Sequence, residues 1–226
     1  IILFKLIAQH FVEQYSFLNL FNFITFRVGA SILTALFFSL IFGQYIINKI
    51  SSIQPIGQPI RNDGPENHII QKAGTPTMGG LLIILSVIIS LVLWSDLQNI
   101  FVWIGFLTLL VFGFIGFIDD YKKIKSNSSN GLKARTRIIL QIFFALIISV
   151  IVINNLSDQI DTTISFPFFK NLIVNFGYFY FIISLFIIVG SANAVNLTDG
   201  LDGLAIVPVM IVAMTFAFIA YVSGNI

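Results

Sequence analysis

Six runs of apolar residues, each near the length that crosses a bilayer, leave this chain few folds to choose from. They fall at about residues 24–47, 77–94, 100–118, 138–153, 172–190 and 204–222. Inside hydrocarbon a backbone N–H or C=O finds no water, so each run must satisfy its own hydrogen bonds as a helix. The expected fold class is all-α, a polytopic transmembrane helical bundle in a single domain over residues 1–226. The chain is 57% hydrophobic and 10% charged, with a mean hydropathy of +0.97, whereas soluble domains carry about 25% charged residues. The run at 77–94 is short for a core about 30 Å thick unless Thr77 and Met78 join it or the bilayer thins.

Residues 1–23 set Phe4, Ile7, Phe11, Tyr15 and Leu18 at spacings of three and four, with Lys5, Gln9, Glu13 and Gln14 elsewhere. That pattern suits a helix lying in the membrane interface ahead of the first span. The same polar residues interrupt any signal-peptide core. The chain starts at Ile1 without methionine and stops at Ile226 directly after an apolar run, so it is expected to be incomplete at both ends. With no cysteine, disulfides and thiolate chemistry are excluded. A net charge of +2 gives no ground for a nucleic-acid partner.

The basic residues are better explained by where they fall. Lys49, Arg61, Lys72, Lys122, Lys123, Lys125, Lys133, Arg135 and Arg137 all land on one side of the alternating spans. The positive-inside rule makes that side cytoplasmic. The loop at 51–78, the loop after residue 118 and the polar interruption at 191–203 then share one membrane face. Asp96, Asp158 and Asp161 fall on the other. On the cytoplasmic face, the glycosylation patterns Asn127-Ser128-Ser129 and Asn196-Leu197-Thr198 would be silent.

The most abrupt boundary is GFIGFIDDYKKIK at 113–125, where the apolar run ends on Asp119 and Asp120. An ionised side chain at bilayer depth costs roughly 2.5–3.5 kcal/mol, so the acids belong where the helix leaves the hydrocarbon. At a helix C-terminus they would repel each other and the negative end of the dipole, which asks for a cation. Lys123, four and three residues on, reaches both if the last turn extends, and a divalent metal is the other choice. The plainer reading is a helix end with charges in the headgroup zone.

Two further segments weigh against that plainer reading. In NAVNLTDGLDG at 193–203, Asn193, Asn196, Asp199 and Asp202 recur every third residue, one stripe on a continuous helix unless Gly200 and Gly203 break it. A polar hairpin with glycine turns would explain the glycines but not the spacing. Upstream, GTPTMGG at 74–80 opens a helix that Thr77 could cap, with exposed N–H groups suited to phosphate and Lys72 close by. Ordinary helix-start chemistry accounts for that segment equally well. His10 and His68 have no partners at metal spacing and read as structural or solvated.

Together the three segments outline a cytoplasmic-face site for a phosphate-bearing substrate. One or two carboxylates plus substrate phosphates suit Mg²⁺, lysines suit diphosphate oxygens, and Asn and Asp suit a sugar or base.

Arg61-Asn62-Asp63-Gly64-Pro65-Glu66 with His68, then Lys72 and GTPTMGG, GFIDDYKK and NAVNLTDGLDGLA, in this order and spacing, closely resemble the phospho-N-acetylmuramoyl-pentapeptide transferase family of bacterial peptidoglycan synthesis. The likeness runs the length of the chain. It implies transfer of the phospho-sugar of UDP-N-acetylmuramoyl-pentapeptide to undecaprenyl phosphate with Mg²⁺, giving lipid I and UMP. The setting is the cytoplasmic face of the bacterial inner membrane, with the enzyme alone or as a homodimer. Asp119 and Asp120 resemble the family's essential, metal-holding pair, with Asp119 as base or nucleophile. Asp199 resembles a third catalytic residue, and Lys72, Thr77, Lys123, Asn193, Asn196 and Asp202 resemble substrate-binding positions. The family has about ten spans, with a further essential Asp and a His-rich loop in its C-terminal part. About six spans stand here, so the chain by itself is expected to be inactive. Arg137 replaces an expected lysine, which keeps the charge and changes its geometry.

Three other readings remain at this stage. A related polyprenyl-phosphate N-acetylglucosamine-1-phosphate transferase would share the acidic pair, though RNDGPE and PTMGG argue against it. An ion-coupled transporter would place its acids near the bilayer midplane on broken helices, with an inverted repeat that is not visible here. A scaffolding membrane protein needs no chemistry at all.

Overall fold

The structure, a computed structural model, describes residues 4, 10–54, 57, 74–128, 130–156, 162–166, 169, 172–199 and 203–224. A 3₁₀ helix, Ser16–Asn22, leads into α1 (Ile24–Ile53), α2 (Gly80–Trp94), α3 (Ile100–Ser126) and α4 (Ala134–Asn155). Strands β1 (Thr163–Ser165) and β2 (Ile173–Asn175) follow, then α5 (Phe179–Thr198) and α6 (Ile206–Ser223). Five of these helices are long and apolar enough to cross a membrane, and α2 is a shorter apolar helix of 15 residues. The chain is an all-α polytopic membrane chain.

Its contacts divide into two units, residues 1–144 and 145–226. In the first, α1 and α2 pack antiparallel through a ladder of small and polar residues. Ser31 Oγ meets Ser90 Oγ at 2.7 Å, Trp94 Nε1 donates to Thr34 Oγ1 at 2.9 Å, and Ser39 Oγ meets Ser86 Oγ at 2.9 Å. On α2 the contacting residues Leu82, Ser86, Ser90 and Trp94 fall every fourth position, one ridge of the helix. Lipid offers apolar side chains nothing less favourable than another helix does, so helix pairs in membranes rely on close approach and polar contacts worth about 0.6 kcal/mol each. Gly43 shows how close: a Cβ there would touch Leu82 Cδ2 at 3.5 Å, ordinary contact. Gly43→Ala is therefore expected to be near neutral. Gly43→Leu should cost about 1–3 kcal/mol through overpacking, read as a lower melting temperature in detergent.

The helix α3 departs from the sequence expectation in a way that matters for the site. Its N-terminus is capped by Asn99, whose side chain accepts from Phe101 N at 2.9 Å. Its C-terminus lies at Asn127, in the left-handed region at φ 45°. At 1.5 Å per residue its 27 residues are about 40 Å long, against about 30 Å of hydrocarbon. The apolar run ends at Ile118, and the helix continues two turns beyond it. The acids are thus not at the C-terminus of the helix, where the dipole would oppose them. That place is taken by Lys123 and Lys125, which the dipole favours.

In the second unit the residues expected to begin the fifth span at 172 instead form a two-stranded antiparallel ribbon, pairing Thr163 with Asn175 and Ser165 with Ile173. β-Branched Thr163, Ile164, Ile173 and Val174 favour a pleated strand, and hydropathy alone does not separate that from a helix start. The span begins at Phe179. Within this unit Ser149 Oγ and Ser184 Oγ join α4 to α5 at 2.8 Å. Neither α5 nor α6 carries a buried residue, and every residue of α6 is exposed.

Candidate active site

The end of the spanning part of α3 holds Asp119 and Asp120 on successive positions, about 100° apart around the helix. Lys123, one turn further, closes on both: its Nζ lies 2.6 Å from Asp119 Oδ2 and 3.1 Å from Asp120 Oδ1. The cation asked for by the sequence is therefore on the same helix, reached because α3 continues past the acids. The two remaining carboxylate oxygens are also engaged. Leu132 N donates to Asp119 Oδ1 at 2.8 Å, and Thr77 Oγ1 donates to Asp120 Oδ2 at 2.9 Å.

Asp119 is 8% exposed, the more deeply set of the pair. Burial pushes its carboxyl up, but the hydrogen bonds from Lys123 and the Leu132 N–H, with the charges of Lys123 and Arg137, outweigh burial and leave it below the usual carboxylate range. Burial likewise pushes the Lys123 ammonium down, and its contacts with Asp119 and Asp120 more than reverse that. A lowered carboxyl at Asp119 and a raised ammonium at Lys123 both favour the charged forms.

Thr77 does not cap α2. The N-cap position is Gly79, no side chain fills it, and Met78 just before it adopts φ 73°, a left-handed conformation uncommon for a side chain of this size. That turn leaves the Thr77 hydroxyl for Asp120. Thr77 is itself fixed by a residue the sequence does not flag: Gln54, at the end of α1, accepts from Thr77 N at 3.0 Å while its Nε2 approaches Thr77 O at 3.5 Å. Gln54 is 5% exposed. Next to it Gly57, at φ 74°, runs so close to the Gly74 backbone that a Cβ would lie 2.6 Å from Gly74 C. Gln54→Leu would strand the Thr77 amide and is expected to cost about 1–3 kcal/mol, seen as a lower melting temperature, with a fall in any activity that depends on Thr77.

Thr77, Asp119, Asp120 and Lys123 are thus brought together in the first unit. Lys72 lies outside the described residues, as do Arg61, Asp63, Glu66 and His68. In the second unit α5 runs unbroken to Thr198, so residues 191–198 of the polar segment are the end of that helix. Asn193 and Asn196 stand on one face of it, and Asp199 is its exposed C-cap, donating its N–H to Val195 O. Asn193 Nδ2 bonds back to Val189 O at 2.8 Å. Asp202, the fourth member of the stripe, is outside the described residues.

The acidic pair fits a hard divalent cation. Each carboxylate oxygen accepts one protein donor and retains a second lone pair, and Lys123 Nζ already places a positive charge between the two groups. Among the described residues no group of three His, Cys, Asp or Glu gathers into a metal cage. Mg²⁺ takes one or two carboxylates and completes its shell with water and substrate phosphate.

A frame of long apolar helices thus carries a lysine-bridged acidic pair on α3. The comparisons make this specific: the chain belongs to glycosyl transferase family 4, whose model matches residues 102–226, just over half of it. Residues 72–84, which contain Thr77, match signature 1 of phospho-N-acetylmuramoyl-pentapeptide-transferase. The chain is similar to proteins of that name from Pelagibacter ubique, at 51% identity, and Gluconobacter oxydans, at 46%. Each alignment covers 99% of this chain, and 62% and 61% of the relatives. The chain therefore spans about three fifths of the length of the curated relatives it matches.

Proposed function

We propose that this chain carries part of the active site of a phospho-N-acetylmuramoyl-pentapeptide transferase. The reaction joins the phospho-sugar of UDP-N-acetylmuramoyl-pentapeptide to undecaprenyl phosphate and releases UMP, at the cytoplasmic face of the bacterial inner membrane. The observation that carries the reading is the Thr77–Asp120 hydrogen bond. It joins the segment that matches the transferase signature to the acidic pair across 43 residues of sequence.

In a direct transfer, with Asp119 as base, an oxygen of undecaprenyl phosphate attacks the phosphorus that bears the sugar. A new P–O bond forms, the bond from that phosphorus to the oxygen of UMP breaks, and UMP departs with the electron pair. When bound, Mg²⁺ supplies neutralising charge to the diphosphate. Asp119 and Asp120 would hold it, Lys123 turns from the carboxylates to phosphate oxygens, and Thr77 keeps Asp120 oriented. Asp199 is the proposed third catalytic residue, and Lys72, Asn193, Asn196 and Asp202 are the proposed contacts to the nucleotide and sugar. Positive charge on the flanking loops supports the cytoplasmic orientation.

Two roles for Asp119 separate experimentally. As a nucleophile it would exchange labelled UMP into the UDP conjugate without any lipid phosphate; as a base it would not. The overall assignment is tested by following UMP release from the full-length protein with undecaprenyl phosphate and either UDP-N-acetylmuramoyl-pentapeptide or UDP-N-acetylglucosamine. The muramoyl substrate should be strongly preferred. A preference for the glucosamine substrate, or ion flux in liposomes with no UMP release, would reject the assignment.

A further inference from the structure

The turn between α3 and α4 approaches the acidic pair more closely than any side chain could allow. A Cβ built on Gly131 would fall within the Asp119 carboxylate, 2.6 Å from Cγ and 2.7 Å from Oδ2, and in closer contact still with Oδ1. Gly131 is not one of the left-handed glycines of the chain, so its backbone conformation does not call for glycine. What the position needs is empty space. The next residue, Leu132, uses that proximity: its N–H donates to Asp119 Oδ1 at 2.8 Å.

The turn is braced by its own bonds. Ser128 N donates to Lys123 O at 3.2 Å at the end of α3, Asn130 N donates to Ser128 Oγ at 3.2 Å, and Arg137 N donates to Lys133 O at 3.0 Å as α4 begins. The donor offered to Asp119 is thus a backbone group and not a rotatable side chain. Asp120 differs, because both of its donors, Thr77 and Lys123, are side chains.

We infer that Gly131 and Leu132 form a backbone seat that fixes the orientation of Asp119, making them positioning residues for the acidic pair. One carboxylate of the pair is thus held in part by the backbone, the other by side chains alone. The consequence for transfer rests on the function proposed above; the seat itself does not.

A stability cycle tests the seat without reference to activity. Gly131→Ala is made in the full-length protein carrying Asp119, Asp119→Asn or Asp119→Ala, and melting temperature and folded yield in detergent are read for each pair. A seat predicts a drop of several degrees with Asp119 and with the isosteric Asn. With Asp119→Ala, which leaves room for the methyl group, the drop should be absent. If Gly131→Ala does not accumulate alone, recovery of folded protein in the Asp119→Ala background is the same result. An equal penalty in all three backgrounds, or none in any, would overturn the inference. On the functional side, Gly131→Ala should lower kcat for UMP release roughly a hundredfold, the order of a 1 Å misplacement, with KM for the nucleotide little changed. Unaltered kcat in folded Gly131→Ala protein would equally overturn the positioning role. Absence of UMP release from the unsubstituted protein would instead count against the proposed function, leaving the cycle readable.

Discussion

Asp119→Asn in the full-length protein is expected to reduce UMP release by about a thousandfold, with the protein still folded. The argument is one of donors. Asp119 accepts from the Leu132 N–H on one oxygen and from Lys123 on the other. Asparagine has one acceptor and one donor, so only one of those contacts survives; if the amide oxygen stays on Leu132, the NH₂ group faces the Lys123 ammonium. The pair then loses one of its two negative charges and gains a repulsive contact where a cation and a diphosphate must be held. Loss of a single preorganised electrostatic group in an active site costs about 10²–10³ in rate, and here a charge goes as well. The check is an initial-rate assay of UMP release on protein whose monodispersity and melting profile match wild type. Retention of a tenth or more of the activity would show that Asp119 is not in the catalytic machinery.

Lys123→Met should have the second-largest effect, and on two observables at once. The bridging Lys123 side chain is 31% exposed, and without it Asp119 and Asp120 lose the cation they share. One-sided rupture of a fully buried pair costs about 3–5 kcal/mol; solvent at this partly exposed site reduces the expected loss to about 1–2 kcal/mol. The same change removes the resident competitor for a divalent cation. Adding Mg²⁺ should therefore raise the melting temperature of Lys123→Met by more than it raises that of wild type, while UMP release falls about a hundredfold for want of a phosphate contact. An identical Mg²⁺ response in both proteins would mean that cation and lysine do not share the acidic pair.

Much of this arrangement is legible in the sequence, for physical reasons that also mark where legibility ends. Apolar runs reveal spans because hydrocarbon tolerates little else, yet they say nothing once a helix emerges into water. Tyr121–Ser126 therefore reads as loop although α3 continues through it, and that overrun is what delivers Lys123 to both acids. The polar stripe of Asn193 and Asn196 is visible in its three-residue period, but that it ends α5 instead of breaking it depends on local geometry that the glycines leave open. Thr77 stands out through its motif, and its bond to Asp120 does not, because contact between segments 43 residues apart has no periodic signature. Gln54 is a lone amide after a span, and Gly131 a glycine in a basic loop. Nothing local distinguishes either from ordinary punctuation, and only the folded chain shows the first gripping Thr77 and the second making room for Asp119.

The most direct test of the central claim is a structure of the full-length protein with Mn²⁺ and UDP-N-acetylmuramoyl-pentapeptide, using the anomalous signal to locate the metal. The account predicts a manganese peak against the carboxylates of Asp119 and Asp120, the substrate diphosphate on its far side, and Lys123 turned toward phosphate. A diphosphate bound elsewhere, with the lysine still bridging two undisturbed aspartates, would contradict it.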